Sequence, residues 1–159
     1  MKVAFIVPKD NDQHSPLSQL AQCRVLPPVG LARMAGMVGK NAKVALVDER
    51  IESARHDRNA SIAVIFINSY NRQRAYDLAS QYRKQGSTVV FTGPVLGDAL
   101  DSAKQHADCL FIGSGEDNMP AFLADYRKNS VKRFYRNNTT TSHTATVYSF
   151  ADAKLSLAS

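Results

Sequence analysis

The stretch TVVFTGPVLGDALDSAKQHADCLFIGSGE, residues 88–116, decides the fold. It holds two short apolar runs, 88–91 and 109–112, which are separated by a segment of helix length, and a glycine turn follows each run. Two buried strands joined through a helix form a βαβ unit of a parallel sheet. Ligands of such sheets bind beyond the carboxyl ends of the strands, so the turns at Gly93 and Gly113 predict a crevice there.

Three further runs, at 3–7, 43–47 and 62–67, are rich in β-branched and apolar residues without polar alternation. That pattern is typical of interior strands in a parallel sheet. Strand and helix segments therefore alternate about five times. The pattern predicts a flavodoxin-like, doubly wound α/β fold with a parallel sheet of five strands, order 2-1-3-4-5, and helices on both faces.

Helix boundaries are predicted from proline and glycine. We expect Pro27-Pro28 to open the first helix, because proline is accepted in a first turn. An amphipathic helix should end before Gly86, in the usual C′ role. A helix is expected over 98–106, and a last one should begin at Pro120 and end at Lys128.

The fold is predicted to occupy residues 1–136. Residues 9–26 are polar and should form an irregular loop above the sheet. From residue 137 the composition shifts to NNTTTS, which is typical of a linker, so 137–159 is predicted to be a Thr/Ser-rich linker and C-terminal tail. Within that tail, 146–150 could add an edge strand.

Composition narrows the class of function. The chain has 159 residues, which is one domain by size, and 20 Lys+Arg against 14 Asp+Glu give a net charge of +6. The basic residues are scattered, so we do not expect a nucleic-acid partner. Cys23 and Cys109 fit no disulfide or zinc pattern, and Cys109 should be buried. With no secretory or membrane-spanning stretch, a cytoplasmic protein without membrane contact is expected.

The loops that follow the strands should converge on the crevice whatever its ligand is. These loops contain His14, Ser69, Thr92 with Gly93, and Gly113 with Gly115. Glu116 follows directly and is interpreted as a first-turn charge that suits the helix dipole rather than as a general base. The turn Gly113-Ser114-Gly115 lacks the third glycine of a dinucleotide-binding fingerprint. Asn68 stands where a phosphoacceptor receiver domain needs an aspartate.

A series of short motifs carries a resemblance to a known family. In chain order they are Leu26-Pro27-Pro28-Val29-Gly30-Leu31, the run from Val44 to Glu49, Asn71-x-x-Arg74-Ala75-Tyr76, Thr92-Gly93-Pro94, Ala107-Asp108, Ile112-Gly113-x-Gly115-Glu116 and Phe134-Tyr135-Arg136. Together they resemble the N-terminal cobalamin-binding domain of cobalamin-dependent radical SAM enzymes, over about residues 1–136.

The resemblance implies a cofactor and its binding residues. It implies that cobalamin lies with its corrin ring over the strand ends and its nucleotide tail inside the domain. The implied contacts are Ser69, Thr92, Gly93, Pro94, Gly113, Gly115 and Glu116. Residues 92–94 depart from the family's usual Gly-Gly-Pro. The family's catalytic half binds an iron–sulfur cluster through three closely spaced cysteines, which this chain lacks, so no cluster and no radical SAM chemistry of its own are expected.

A cobalt ligand is suggested by a second resemblance. Other cobalamin domains, such as those of methionine synthase and the mutases, carry Asp-x-His-x-x-Gly after the first strand. Here Asp12-Gln13-His14 stands in that loop, with Leu17 in place of the glycine. The resemblance implies that His14 is the axial ligand to cobalt and that Asp12 orients its imidazole. The alternative is a solvated loop histidine.

The main functional hypothesis is a stand-alone cobalamin-binding-like module. It would be a carrier, a sensor or the partner of a separate catalytic protein, and it is not expected to be an enzyme on its own. One alternative is a degenerate domain that has lost cobalamin and acts in protein interaction or regulation. Another is an enzyme for a small anionic ligand at the same crevice. A homodimer is compatible with each of these.

Overall fold

A computed structural model describes residues 1–11, 29–51, 59–93 and 100–136. Within these ranges the strands form one sheet in which every pair is parallel. The strands are β1 (Lys2–Val7), β2 (Lys43–Asp48), β3 (Ile62–Phe66), β4 (Thr88–Thr92), β5 (Cys109–Ile112) and β6 (Phe134–Arg136). The helices are α1 (Val29–Met37), α2 (Arg72–Lys84), α3 (Leu100–His106) and α4 (Gly115–Arg127).

The strand order is β2-β1-β3-β4-β5-β6. The predicted order of the first five strands is confirmed, but the predicted number of strands is wrong because β6 adds a sixth. This strand pairs with β5 and is held by Tyr135, whose hydroxyl donates to Asp125 Oδ2 at 2.8 Å and accepts from the Lys132 N–H at 3.1 Å. Three residues are too few for a periodic signal, so the sequence did not predict this strand.

Helices cover both faces of the sheet, as predicted. On one face α2 and α3 pack on alternate strand residues through Leu78, Ala79 and Ala103. On the other face α1 and α4 pack through Leu31, Met34, Val38, Met119, Phe122 and Leu123. Because parallel strands are buried on both faces, the side chains of β1 and β3 are almost all inaccessible to solvent.

The last helix begins earlier than the sequence predicts. It starts at Gly115 and not at Pro120, and Ser114 is its N-cap, with a side chain that accepts from the Asp117 N–H at 3.4 Å. Pro120 therefore lies in the second turn, where it removes one intrahelical hydrogen bond. Met119 and Phe122 on either side of it are fully buried against the sheet, and this packing outweighs the cost.

Other boundaries agree with the sequence where the structure describes them. Helix α2 is followed by Gly86 at φ 83°, the predicted C′ glycine, and Cys109 is fully buried. The described part of α1 begins at Val29, directly after the two prolines that were predicted to open it. Pro27 and Pro28 themselves, most of the 9–26 loop and the 137–159 tail lie outside the described residues. None of the described helices is long and apolar enough to cross a membrane.

Candidate functional site

A cavity of about 330 Å³ lies at the carboxyl ends of β3, β4 and β5, between α1 and α4. Its lining consists of Gly30, Leu31, Met34, Phe66, Thr92, Gly93, Gly113, Ser114, Gly115 and Glu116. The structure thus brings together five of the residues that the sequence nominated, from the turns after β4 and β5. The crevice expected beyond the strand ends of a doubly wound sheet is present as a cavity with largely apolar walls.

Gly93 is required by the backbone of the chain itself. It adopts φ 130°, and a Cβ at this position would collide with the carbonyl oxygen of Ile67. A hydrogen bond from the Ile67 N–H to the Thr92 carbonyl, at 2.8 Å, holds these two segments of the chain together. The fold therefore demands this glycine before any ligand is considered.

Thr92 and Gly115 fit together in the lining of the cavity. Thr92 is only 5% exposed, and a Cβ built on Gly115 would lie 2.5 Å from Thr92 Oγ1 and 2.8 Å from Met34 Sδ. The space that a side chain at 115 would need is thus occupied by the Thr92 hydroxyl and the Met34 thioether. The Thr92 side chain is accommodated because residue 115 has no side chain.

Glu116 lines the cavity and joins the two helices that flank it. Its Oε2 accepts a hydrogen bond from Arg33 Nη1 at 2.9 Å, and a Cβ on Gly30 would lie 3.2 Å from its Oε1. The carboxylate also sits in the first turn of α4, where negative charge is favourable. Both features agree with a structural role for Glu116 rather than with a role as a general base.

Ser69 is at the same sheet edge but does not line the cavity. It is exposed in the turn between β3 and α2, which is held by the Asn68 and Asn71 side chains. The neighbouring Tyr70 carbonyl accepts from the Asn11 N–H at 3.0 Å. The loop that follows β1 therefore meets the turn that contains Ser69.

Asp12, His14 and Pro94 lie outside the described residues, so their nominated roles stay predictions. Within the ranges that are described, no group of three or more His, Cys, Asp and Glu side chains could hold a metal ion. Burial raises the pKa of the Cys109 thiol, which removes its thiolate character. Cys109 therefore serves as a small apolar side chain of the core.

An ion pair fixes the start of the β1 loop over the sheet edge. Arg74 donates to both carboxylate oxygens of Glu49, at 2.9 and 2.6 Å, and Glu49 also accepts from the Lys9 N–H at 3.2 Å. The hydrogen bonds from Arg74 to Glu49 raise the pKa of the guanidinium. The Glu49 side chain is 6% exposed, so the pair is shielded from solvent and holds its geometry well.

The apolar walls of the cavity were not predicted as site residues. Leu31 and Met34 have the helical spacing of a face that packs on the sheet, and Phe66 ends a buried strand. A periodic apolar pattern does not distinguish a side chain in the core from one that borders a cavity. Their position in the chain could have identified them as site residues, because they belong to elements that begin or end at the carboxyl edge of the sheet.

Comparison with known proteins gives one informative match. Over 93 residues, 58% of this chain, the sequence is 30% identical to bacteriochlorophyllide d C-8(2)-methyltransferase of Chlorobaculum tepidum. The match covers 21% of that protein, so the chain spans about a fifth of the length of this relative. No family model and no solved structure matches the chain.

Proposed function

We propose that this chain is a corrinoid-binding module that holds cobalamin at the carboxyl edge of the sheet. The observation that carries the proposal is the cavity between α1 and α4, with Leu31, Met34 and Phe66 as apolar walls. Ligand pockets commonly measure roughly 300–1,000 Å³, so about 330 Å³ suits a small planar group and not a whole corrinoid. The nucleotide tail would enter the cavity and the ring would remain outside, over the strand ends.

The lining residues of the cavity suit such a nucleotide tail. Its walls offer carbon and sulfur surface for the faces of an aromatic base, and Thr92, Ser114 and Glu116 are the lining residues with polar side chains. Cobalamin, when bound, supplies a cobalt centre able to carry a methyl group. The residues of this chain would bind and orient it and exclude water from the tail.

The matched relative supports a role in methyl transfer. Its name describes a methyltransferase that acts on bacteriochlorophyllide d, and the present chain is similar to about a fifth of it. The two distant cysteines of this chain cannot hold an iron–sulfur cluster by themselves. We therefore propose that the module presents cobalamin to a separate catalytic protein rather than transferring a methyl group alone.

Titration with hydroxocobalamin tests the proposal, with two matched variants on α1. In Gly30→Phe a bulky ring enters the cavity, since residue 30 lines it and the nearest atom to a new Cβ is the carboxylate oxygen Oε1 of Glu116 at 3.2 Å. In Gly36→Phe the same ring is added on the same helix where nothing lies within 4 Å of a Cβ. We expect saturable binding by the wild type and Gly36→Phe, and at least about tenfold weaker binding by Gly30→Phe.

Two results would contradict the proposal. Binding that Gly30→Phe leaves unchanged would place the ligand elsewhere, and no binding by the wild type at high micromolar hydroxocobalamin would favour the degenerate interaction domain. His14→Ala tests cobalt ligation separately. If His14 is the axial ligand, the visible spectrum of the complex shifts from histidine-coordinated towards base-off while the domain stays folded. An unchanged spectrum would remove that role.

A further inference from the structure

Strand β2 forms one edge of the sheet, and no described strand pairs with its outer side. In the order β2-β1-β3-β4-β5-β6 it pairs with β1 alone. The Lys43 N–H donates to the Met1 carbonyl at 3.1 Å, so the backbone groups of Lys43 face β1. Because these groups alternate in direction from one residue of a strand to the next, Val44 and Leu46 direct their N–H and carbonyl groups outward.

The same two residues also expose apolar side chains. Val44 is 42% exposed and Leu46 49%, whereas Val3 and Phe5, their register partners on β1, are fully buried under the helices of that face. Edge strands of natural proteins are commonly protected by proline, by bulges or by charged side chains. Strand β2 has no proline, its register with β1 is unbroken, and its charged residues stand only at its two ends. The middle of β2 can therefore pair with another strand.

We propose that β2 pairs with β2 of a second copy of this chain, in antiparallel orientation about a two-fold axis through Ala45. In this register Val44 of each copy exchanges two hydrogen bonds with Leu46 of the other, and both residues direct their backbone groups outward. Residues opposite each other in an antiparallel pair share a face of the sheet, so the valines and leucines of both copies form one aliphatic cluster. The edge is thus self-complementary in hydrogen bonds and in apolar surface, which is why a second copy fits it.

The same register avoids clashes of charge and of volume. Lys43 of one copy lies opposite Val47 of the other, so the two Lys43 residues are about 13 Å apart along the strands. At the axis the two Ala45 residues form a non-hydrogen-bonded pair, in which Cα atoms approach to about 4.5 Å, and the alanine methyl groups leave room for that approach. The cavity is lined by α1, α4 and the ends of β3, β4 and β5, so the dimer does not depend on what the cavity binds.

Sedimentation equilibrium of the full chain tests the dimer, with two substitutions at residues of similar exposure. Leu46→Lys puts a charge into the aliphatic cluster, whereas Val29→Lys puts one on α1, at a residue that is 54% exposed. We expect the wild type and Val29→Lys to share one monomer–dimer equilibrium, and the dissociation constant of Leu46→Lys to be at least about tenfold higher. Circular dichroism should show native helix and strand content in both variants, because neither residue is buried.

Disulfide trapping tests the register. Cys109 is buried, and a Cys23→Ser background removes the other native thiol. Ala45→Cys then places two thiols across the axis on Cα atoms about 4.5 Å apart, which a disulfide spans, whereas those of Leu46→Cys are more than about 7 Å apart. We expect mild oxidation to cross-link Ala45→Cys at least about tenfold faster than Leu46→Cys. The proposal is overturned if the wild type stays monomeric over about a hundredfold range of concentration, if Leu46→Lys and Val29→Lys dissociate alike, or if Leu46→Cys cross-links as fast as Ala45→Cys.

Discussion

Helices α2 and α4 begin at the same edge of one sheet, yet their first turns are built in opposite ways. In α4 the Ser114 hydroxyl accepts the Asp117 N–H, and Glu116 and Asp117 place negative charge at the positive end of the helix. In α2 the Asn71 side chain turns away from the helix, and the first turn carries basic residues. One N-terminus is capped by a side chain of its own sequence, and the other has no side-chain cap.

The difference arises from what each preceding strand needs. The turn between β3 and α2 uses both polar atoms of Asn71 to hold Asn68 and the Phe66 carbonyl, which consumes the cap. The turn between β5 and α4 reverses at Gly113, with φ 87°, and leaves Ser114 free to cap. The capped first turn of α4 lines the cavity, whereas the first turn of α2 has no side-chain cap.

The largest loss of stability should come from Gly93→Ala, which disrupts the carboxyl edge of the sheet, where both helices begin. A Cβ there would collide with the Ile67 carbonyl, in a backbone conformation that side chains rarely adopt. We expect the free energy of unfolding to fall by at least about 3 kcal/mol, measured by urea denaturation. Gly36→Ala is the control, because it adds a methyl group on the open surface of a helix, and it should raise the free energy of unfolding by about 0.5–1 kcal/mol. A neutral Gly93→Ala would show that the turn can rearrange.

Asn71→Ala tests whether the α2 cap is diverted to the turn. The residue is 1% exposed, and its removal leaves the Asn68 N–H and the Phe66 carbonyl without their partner. A fully buried group left unpaired costs about 1–3 kcal/mol, and since both of these hydrogen bonds are only part-buried we expect a total loss of about 2 kcal/mol on urea denaturation. Ser114→Ala on α4 removes only a cap and should cost about 1 kcal/mol. Equal losses would mean that Asn71 does no more than a cap does.

Gly115→Ala tests how tightly α4 closes the cavity. The added methyl group would press on Thr92 Oγ1 and Met34 Sδ, and such overpacking should lower the free energy of unfolding by about 1–2 kcal/mol. In a Thr92→Ala background the hydroxyl is gone, so the cost of Gly115→Ala should be smaller by at least about 0.5 kcal/mol. A double-mutant cycle by urea denaturation measures this coupling. Additive losses would refute the proposed fit between residues 92 and 115.

The fold was predictable because its signals are local. Apolar runs without alternation gave the parallel strands, and the helices between them fixed the order of the first five. The exceptions have physical causes. Strand β6 is too short to show a period and depends on the hydrogen bonds of Tyr135. The start of α4 was misplaced because Pro120 suggested a first turn, whereas Ser114 is the cap.

The candidate site was predictable only in its position. Topology brings the turns at Gly93 and Gly113 to one edge whatever the side chains are. The walls depend on contacts between elements distant in sequence, such as Met34 against Gly115. The diversion of the Asn71 side chain, which leaves α2 uncapped, likewise depends on where the Phe66 carbonyl lies, and no sequence pattern reports that.

The smallest expected effect is that of Arg72→Glu in phosphate-free buffer, where the two helix N-termini should respond with opposite sign. At α2 the change replaces a cation, opposed by the dipole and holding an unpaired buried N–H, with a carboxylate that the dipole favours. We expect the free energy of unfolding to rise by about 0.3–1 kcal/mol, measured by urea denaturation at low ionic strength. At α4 the reverse exchange, Asp117→Lys, should lower it by a similar amount, because Asp117 is an exposed acid in the first turn. A destabilised Arg72→Glu would mean that Arg72 is held by contacts within the protein, and the contrast between the two helix ends would no longer stand.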